Sequence, residues 1–531
     1  LIGTFNVLNK LWQNNRALAL LAGAANVLAF APICLWPFIY LTPALLFIAV
    51  SRCKTAKEAL LCGYLCSLVI MLGGFYWVVY VIHVFGYLPW WIASLGFLIF
   101  CGFGALNFPI FAWVAYRLHK PFKRHPSNFL NGAWFLIFLP ALFTVTEWTI
   151  PKLFPWAIGN TYYFLPLFIQ ISEITGASIL SFSTAVAGGL LALQWTTPQG
   201  LPWDKRWVTL PLALWIGILG FGWLRLSETP VPTKKLNLGL VQANVGSLER
   251  LEASQGSVSL IQQILDRYRR LSEQSLSTTP TPDLLIWPET AMPFLLDVDY
   301  GYAATLKQSV REWGKPLITG AYSQVRNQAF SGDYNAAVLL TPGTDGKLAT
   351  QIYEKNILLA FGEYFPLGHI FPVLYRWFPQ VSNFRWGTEQ KIFVLENGTR
   401  IGMTVCYEAI VPTFVRKVAQ NGIQVLVNLT NDSWFGPTSE PYQHAALSVF
   451  RAVETRVPLI RVTNTGTTLT IDRYGRMGER TPIYQPAFIN AEVEYAEAPS
   501  TTVFIQWGNW FVYLLFLVGA VLLLMPRKPR G

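Results

Sequence analysis

Charge is scarce in this chain: Asp, Glu, Lys and Arg make up 13 % of its 531 residues, against roughly 25 % in an ordinary soluble protein. The deficit is uneven. Positions 17–224 are long apolar runs between short basic clusters, 234–500 read as a water-soluble domain, and 510–525 are apolar again. Histidine is scarce too, with only His369 and His444 in the soluble stretch, neither in a setting that suits Cys/His catalysis. Paired cysteines are missing there as well. Cys34, Cys53, Cys62, Cys66 and Cys101 lie in or beside the first four apolar segments, and Cys406 stands alone in the soluble stretch. An exported domain normally keeps its cysteines in disulfides, so a disulfide scaffold is excluded and the lone thiol is either buried and inert or used.

What charge there is has a location. The net charge is +11, but positions 226–504 hold 24 basic and 25 acidic residues, which leaves 16 basic and 4 acidic residues to the apolar parts. The positive excess is therefore a topology signal and not a nucleic-acid surface. A membrane helix needs about 20 mainly apolar residues, and spans are expected near 17–33, 35–51, 58–82, 88–116, 130–149, 174–195, 207–224 and 508–525. The first is read as a retained anchor rather than a cleaved signal. Lys10 and Arg16 precede it; Arg52, Lys54 and Lys57 follow the second span; Arg117, Lys120, Lys123 and Arg124 follow the fourth. Lys205 and Arg206 follow the sixth, and Arg527, Lys528 and Arg530 the last, while Lys152 is the main exception in the alternate loops. The positive-inside rule then puts both termini in the cytoplasm and the soluble domain on the outer side. The expected division is a transmembrane helical domain of about seven spans at 1–225, a soluble α/β domain at 226–504, and a last helix with a basic tail at 505–531. Glu147 and Glu173, near span ends, are read as solvated at the interface.

The soluble domain alternates short β-rich runs with amphipathic ones. Strands are expected at 236–242, 283–287, 316–321, 335–340, 399–405 and 424–429, and helices at 258–273, 301–313, 409–421 and 444–456. That is a layered α/β domain, in which ligands gather at strand ends. Three of those ends carry reactive residues. Asp283-Leu-Leu-Ile-Trp-Pro-Glu289 is a buried strand stopped by proline with a carboxylate beyond it. Tyr353-Glu354-Lys355 offers a cation, and 400–405 runs into Cys406-Tyr407-Glu408 at the head of an expected helix, where a thiolate is stabilised. With no histidine at hand, Glu289 is the candidate base. Thiols near pKa 8.5 and carboxylic acids near 4.3 make that transfer uphill in water, roughly by the difference. Burial of a carboxylate and a nearby ammonium narrow the gap, and Lys355 can also stabilise an oxyanion. Singly, Glu289 reads equally as a turn residue, Lys355 as a surface charge and Cys406 as core; their order on these strand ends favours catalysis.

These residues resemble the nitrilase superfamily, whose αββα domains use Glu, Lys and Cys in this chain order. Within it, the sequence is similar to the apolipoprotein N-acyltransferases. The segments that carry the likeness are Trp287-Pro288-Glu289, Tyr334-Asn335, Tyr353-Glu354-Lys355, Phe361-Gly362-Glu363-Tyr364-Phe365-Pro366, Cys406-Tyr407-Glu408, Asn431-Asp432-Ser433-Trp434-Phe435-Gly436 and Thr463-Asn464-Thr465-Gly466. The resemblance implies a multispan membrane domain with a nitrilase-like αββα sandwich, and Glu289 as base, Lys355 as stabiliser and Cys406 as nucleophile. It implies supporting roles for Glu363, Glu408, Tyr407 and Asn335. The implied reaction is ping-pong: Cys406 takes the sn-1 acyl chain of a phospholipid, typically phosphatidylethanolamine, and the thioester acylates the α-amine of a diacylglyceryl-cysteine at an apolipoprotein N-terminus. A monomer in the bacterial inner membrane, with the catalytic domain periplasmic and neither metal nor soluble cofactor, is expected. One departure is visible: no Trp follows Val241-Gln242-Ala243-Asn244, and Leu251 is near that place.

The stretch 361–387 is dense in aromatics and poor in charge, which suits an interfacial lid. Its candidate substrate-binding residues are Tyr364, Phe365, Trp377 and Phe378, with Trp434 and Phe435 on a second loop; core packing is the alternative. Arg376 and Arg385 are candidates to pair with a lipid phosphate, against an ordinary surface role. Two rival functions remain. A membrane-tethered nitrilase-type amidase would use the same three residues but leave the thioester open to water, which a lid opposes. A transporter or receptor with a non-catalytic domain would need intramembrane charges that are few here.

Overall fold

The computed structural model describes residues 11–123, 132–196, 205–228, 232–246, 249, 252, 257–296, 301–324, 333–378 and 381–524. Lys10, Arg124, Leu251 and the basic tail at Arg527, Lys528 and Arg530 lie outside the described residues. The chain divides into two compact units: Leu1–Val79 with Pro89–Glu228 and Trp507–Gly531, and Tyr80–Leu88 with Thr229–Gln506.

The first unit is helical. Ala56–Gly74, Trp90–His119, Ser178–Thr196 and Arg206–Ser227 are long and apolar enough to cross a membrane, and Asn15–Ala29, Trp36–Arg52, Trp134–Thr149 and Trp510–Val521 are apolar but shorter. Proline accounts for some of the shortening. Pro37 opens a 3-10 turn, Trp36–Tyr40, before the regular helix Leu41–Arg52, and Pro140, which has no N–H to donate, follows a π-helical turn at Trp134–Phe138. Inside the unit, Phe143 stacks on Phe108 with ring centroids 4.9 Å apart and meets Phe47 and Phe111 edge-on. Its outward faces keep Trp91, Phe103, Trp223 and Phe516 exposed, an apolar surface of the kind that lipid covers. The two glutamates differ from their expected solvated state. Glu147 is buried and accepts from the Ile158 N–H at 2.8 Å, and the buried Glu173 pairs with Arg225 at 2.8 Å. The 3-10 turn Ile158–Tyr162 meets Glu147 and the helix Thr209–Ser227 meets Glu173, in place of water.

The second unit is a two-sheet sandwich with a helix pair on each sheet. Its thirteen strands among the described residues are β1 (Thr233–Gln242), β2 (Leu284–Ile286), β3 (Met292–Leu295), β4 (Leu317–Gln324), β5 (Asp333–Pro342), β6 (Leu348–Glu354), β7 (Ile392–Val394), β8 (Arg400–Val405), β9 (Val425–Thr430), β10 (Leu459–Thr463), β11 (Leu469–Ile471), β12 (Met477–Arg480) and β13 (Ala487–Ala496). One sheet runs β13-β1-β2-β4-β5-β6 with β3 beside β4; the other runs β12-β11-β10-β9-β8-β7. The sheets pack through β1 on β10, β5 on β8 and β11 on β13. Helices Val258–Leu276 and Gly301–Trp313 cover the first sheet, and Pro412–Gln420 and Glu440–Thr455 the second.

All six strands expected from the sequence overlap observed ones. The expected helix at 409–421 is shorter: Cys406–Ile410 is a 3-10 turn and the α-helix begins at Pro412, a residue pre-shaped for the first helical position. Cys406 therefore heads a tight turn and does not face the free N–H groups of a regular helix.

Candidate active site

Each reactive residue is held by the strand that precedes it. At Glu289, β2 stops because Pro288 cannot continue the ladder. The Trp287 indole N–H donates to Ser272 Oγ at 2.9 Å and its ring stacks on Tyr268 at 4.8 Å. β4 backs this turn closely: the Gly320 N–H donates to the Pro288 carbonyl at 3.1 Å, and a Cβ at position 320 would lie 2.6 Å from the Glu289 Cα, so only glycine fits. At Lys355, the β5–β6 ladder runs one residue further, with its N–H donating to the Asn335 carbonyl at 2.9 Å. That register sets Asn335 and Lys355 side by side. Cys406 follows β8 with φ at +52°, a left-handed conformation that costs a non-glycine residue on the order of 1–3 kcal/mol. Two side chains hold it there: Asn428 Nδ2 donates to the Cys406 carbonyl at 3.2 Å, and Glu408 Oε2 accepts from the Val405 N–H at 2.7 Å.

The charged side chains meet in one buried cluster. Lys355 Nζ lies 2.7 Å from Glu363 Oε2 and 3.3 Å from Glu289 Oε1. Asn335 Nδ2 donates to both carboxylates, at 2.7 Å to Glu289 and 2.8 Å to Glu363. Glu363 also accepts from the Leu359 N–H at 2.8 Å. Burial opposes the charge on Lys355, yet Glu289 and Glu363 hold it well above the ordinary lysine range. The Cys406 thiol is also pushed well up, first by burial and then by Glu289, with Lys355 pulling the other way. The resting nucleophile is thus a neutral thiol, beside a fixed cation and two carboxyl groups. Tyr407, partly buried, has its hydroxyl pushed up to about 12 by burial and by the nearby Tyr364.

Glu408 works one layer behind. Its Oε2 accepts from Tyr353 Oη at 2.8 Å as well as from Val405, and its Oε1 accepts from the Asn356 and Ile357 N–H groups at 2.6 and 2.9 Å. One carboxyl group therefore ties the chain after Lys355 to the strand before Cys406. Burial pushes it up to about 7, against Lys355 and these donors.

A second buried network was not singled out from the sequence. Arg461 Nη2 lies 2.8 Å from Asp432 Oδ2, and His444 Nδ1 lies 3.3 Å from Asp432 Oδ1 and 3.4 Å from Glu440 Oε1. Arg461 Nη1 donates to Asn428 Oδ1 at 3.0 Å, so the network reaches the residue that holds the Cys406 carbonyl. Asp432, Glu440 and His444 offer ligand atoms within 4.8 Å of one another, the spacing of a metal site. Their charge is already balanced, because Arg461 sits on Asp432. Burial and Arg461 disfavour a charged His444, but Asp432 and Glu440 hold it above the ordinary histidine range. This donor set fits an ion-pair network better than a metal. The legible signal was Asp432 in the Asn431–Gly436 motif; its partners come from a helix and a strand distant in sequence.

The aromatic candidates divide. Tyr364 packs on Trp386 with centroids 4.9 Å apart, and Phe365 on Tyr375 and Phe378 at 5.5 and 5.6 Å. Trp377 and Arg376 are exposed. Arg385 is partly buried, and its main-chain N–H donates to the Asp333 carbonyl. Phe435 is buried and belongs to the core rather than to a lid, since the 3-10 turn Asp432–Phe435 rolls it inward. Trp434 lies over Phe85 with centroids 4.4 Å apart.

Residues 22–190 match the family model described as apolipoprotein N-acyltransferase N-terminal domain, and residues 238–498 match carbon-nitrogen hydrolase. The chain is 31 % identical over 517 residues to an apolipoprotein N-acyltransferase of Bdellovibrio bacteriovorus, covering 95 % of this chain and 92 % of the relative. It is 32 % identical to the Geobacter metallireducens protein of the same name, over 97 % of this chain and 95 % of that one. Among solved structures, a carbon-nitrogen hydrolase from Helicobacter pylori G27 aligns at 15 % identity and a TM-score of 0.37, covering 56 % of this chain and 96 % of that one. With a catalytic unit and a helical unit that both match, and relatives aligned nearly end to end, the chain belongs to the apolipoprotein N-acyltransferase family.

Proposed function

We propose that this chain transfers a fatty acyl group from a phospholipid, through a thioester on Cys406, to the N-terminal amine of the diacylglyceryl-cysteine of apolipoproteins. The observation that carries the reading is the buried cluster in which Lys355 lies against Glu289 and Glu363, with Asn335 bonded to both, behind a strained Cys406. In the first half-reaction the Cys406 sulfur attacks the ester carbonyl of the donor while Glu289 takes the thiol proton. Lys355 stabilises the oxyanion that forms. Removing one such donor typically costs about 10²–10³-fold in rate. The carbonyl–oxygen bond of the ester then breaks, Glu289 returns its proton to the departing alkoxide, and a lysophospholipid leaves. In the second half-reaction the acceptor amine attacks the thioester, the carbon–sulfur bond breaks, and Glu289 carries the amine proton to the sulfur. Glu363 and Asn335 hold Lys355 and Glu289 in register, and Glu408 fixes the strand ends; Tyr407 borders the sulfur.

Around that chemistry the proposal sets a monomer with domains at 1–225, 226–504 and 505–531, eight spans in the bacterial inner membrane, both termini cytoplasmic and the catalytic domain periplasmic. The charge asymmetry of the loops supports it, as do the eight apolar helices among the described residues, four of them long enough to cross a membrane. Phosphatidylethanolamine is the expected donor, with the exposed aromatics of 361–387 as the surface that meets it. The test is intact-protein mass spectrometry after incubation with phosphatidylethanolamine and no acceptor. A fatty-acyl adduct on Cys406, labile to hydroxylamine and removed by a diacylglyceryl lipopeptide, is the expected result. Acyl transfer without any adduct would refute the covalent route, and hydrolysis of small amides with no transfer would identify an amidase.

A further inference from the structure

The short segment Tyr80–Leu88 comes from between two helices of the first unit, yet its contacts assign it to the catalytic unit. His83 Nδ1 lies 2.7 Å from the Leu88 carbonyl, and Tyr87 takes a left-handed φ of +50°, so the segment folds back on itself. Its partner is the 431–436 loop. Phe85 packs on Trp434 at 4.4 Å with the rings inclined by 42°. The Tyr80 ring fills the space over Gly436: a Cβ there would lie 2.6 Å from Tyr80 Cε1, and Gly436 has a φ of +69°. Any side chain at 436 would push the segment away.

The far side of the same loop is fixed by polar bonds. Arg461 and His444 hold Asp432, Asn464 Nδ2 donates to Asn431 Oδ1 at 3.1 Å, and Tyr484 Oη donates to the Ser433 carbonyl at 3.4 Å. The loop that carries Trp434 is thus held by ions at Asp432 and by two aromatic rings, Phe85 on Trp434 and Tyr80 over Gly436. It also leaves the sheet beside the chemistry: Leu429 pairs with Val405 across β9 and β8, so the turn after β9 that carries Trp434 starts next to Cys406, and Arg461 bridges Asp432 to Asn428, the residue that holds the Cys406 carbonyl. An indole fixed so near a nucleophile that takes an acyl chain is suited to sort chains by length, since each added methylene brought against an apolar wall is worth about 0.8 kcal/mol.

We propose that Tyr80–Leu88 is a selectivity element for the acyl donor, with Phe85 as the positioning residue that sets Trp434 and thereby the preference of Cys406 for long chains. This rests on the acyl-transfer reading. The full-length chain in detergent would be tested with p-nitrophenyl butyrate and p-nitrophenyl palmitate as Cys406 acyl donors, each releasing nitrophenolate, and with phosphatidylethanolamine in parallel. In Phe85→Ala the palmitate-to-butyrate ratio of kcat/KM should fall about tenfold, mainly through KM. Trp434→Ala should give the same loss, the double variant should add less than twofold to either, and Phe85→Tyr should restore the ratio. A ratio unchanged within twofold, effects that multiply in the double variant, or an equal fall for both esters would overturn the proposal. Failure of wild type to take an acyl group from phosphatidylethanolamine, while the ester ratio behaves as stated, would instead sink the phospholipid reading alone.

Discussion

Two regions of the catalytic unit reverse the usual distribution of residues in opposite ways. On the floor of the site Lys355, Asn335 and Glu408 are almost fully buried, each engaged by hydrogen bonds to or from a charged group. In the 361–387 stretch Phe361, Trp377 and Trp386 are 62 %, 68 % and 51 % exposed, and its ring contacts include Tyr364 with Trp386 and Phe365 with Tyr375. Charges normally stay outside and large apolar groups inside. Burying ions is unfavourable unless every one is paired, and leaving aromatics in water forgoes their burial energy. The floor accepts its cost to have the electrostatics of a transition state in place beforehand. The rim forgoes stability that only an apolar partner can return. The two together describe a site that does polar chemistry on a lipid.

The hardest blow to the floor is the removal of its cation. Lys355→Met leaves Glu289 and Glu363 facing each other without an ammonium between them. Loss of one member of a buried ion pair costs about 3–5 kcal/mol, so the thermal midpoint should fall and formation of the Cys406 adduct should drop by about 10²–10³-fold. Intact mass and a thermal melt read both. A variant that keeps the adduct would show that the floor is scaffold only.

Glu408→Gln comes next. The carboxyl group accepts from Tyr353, Val405, Asn356 and Ile357, and an amide must turn its NH2 toward two of those four donors. Each buried donor left unmet costs about 1–3 kcal/mol. A destabilisation of about 2–6 kcal/mol in chemical denaturation is expected, with activity lost alongside.

A smaller effect of opposite sign belongs to the nucleophile. Cys406 is held as a thiol by burial and by Glu289, against Lys355. Only the thiolate alkylates, so the iodoacetamide rate at Cys406, followed by peptide mass, should rise about tenfold per pH unit through pH 7–9 with no plateau. Because its pKa is raised, reaction is slowest at low pH and gains as pH rises. Glu289→Gln removes a negative charge beside the sulfur and should speed alkylation severalfold while stopping adduct formation from phospholipid. Slower alkylation in that variant would mean that Glu289 activates the resting thiol rather than acting only during attack.

The legible part of this molecule follows from locality. Glu289 and Cys406 each follow a strand whose apolar run is contiguous, so their placement could be read directly, whereas Lys355 follows β6, whose half-exposed, partly polar run was not among the expected strands, and was legible only through the Tyr353-Glu354-Lys355 segment. The π-helical turn before Pro140 and the shorter apolar helices were not legible, because hydropathy records composition and not hydrogen-bond register. Strands β10 to β13 were not legible because threonine and charged residues interrupt their alternation; Arg461 lies inside β10, where its charge is met by Asp432 from the turn after β9. Phe435 looked like a lid residue beside Trp434, and only the turn geometry sends one inward and the other onto Phe85. The role of Tyr80–Leu88 was out of reach for the same reason, since it rests on contacts made some 350 residues away along the chain.

The weakest expected effect on stability belongs to the rim. Trp377 is 68 % exposed, so Trp377→Ser removes little that the fold has buried and should change unfolding free energy by no more than about 0.5 kcal/mol. If the side chain is held out for lipid, the same change should weaken sedimentation with phosphatidylethanolamine vesicles by about three- to tenfold, since an indole favours the headgroup level. Adduct formation from a short soluble ester, which meets the floor but not the membrane, should move far less. A large loss of stability would make Trp377 a packing residue and give the rim an ordinary structural purpose. Intact stability with unchanged vesicle binding would leave the exposed aromatics facing something other than lipid, and the acceptor lipopeptide would then be the partner to assay on them.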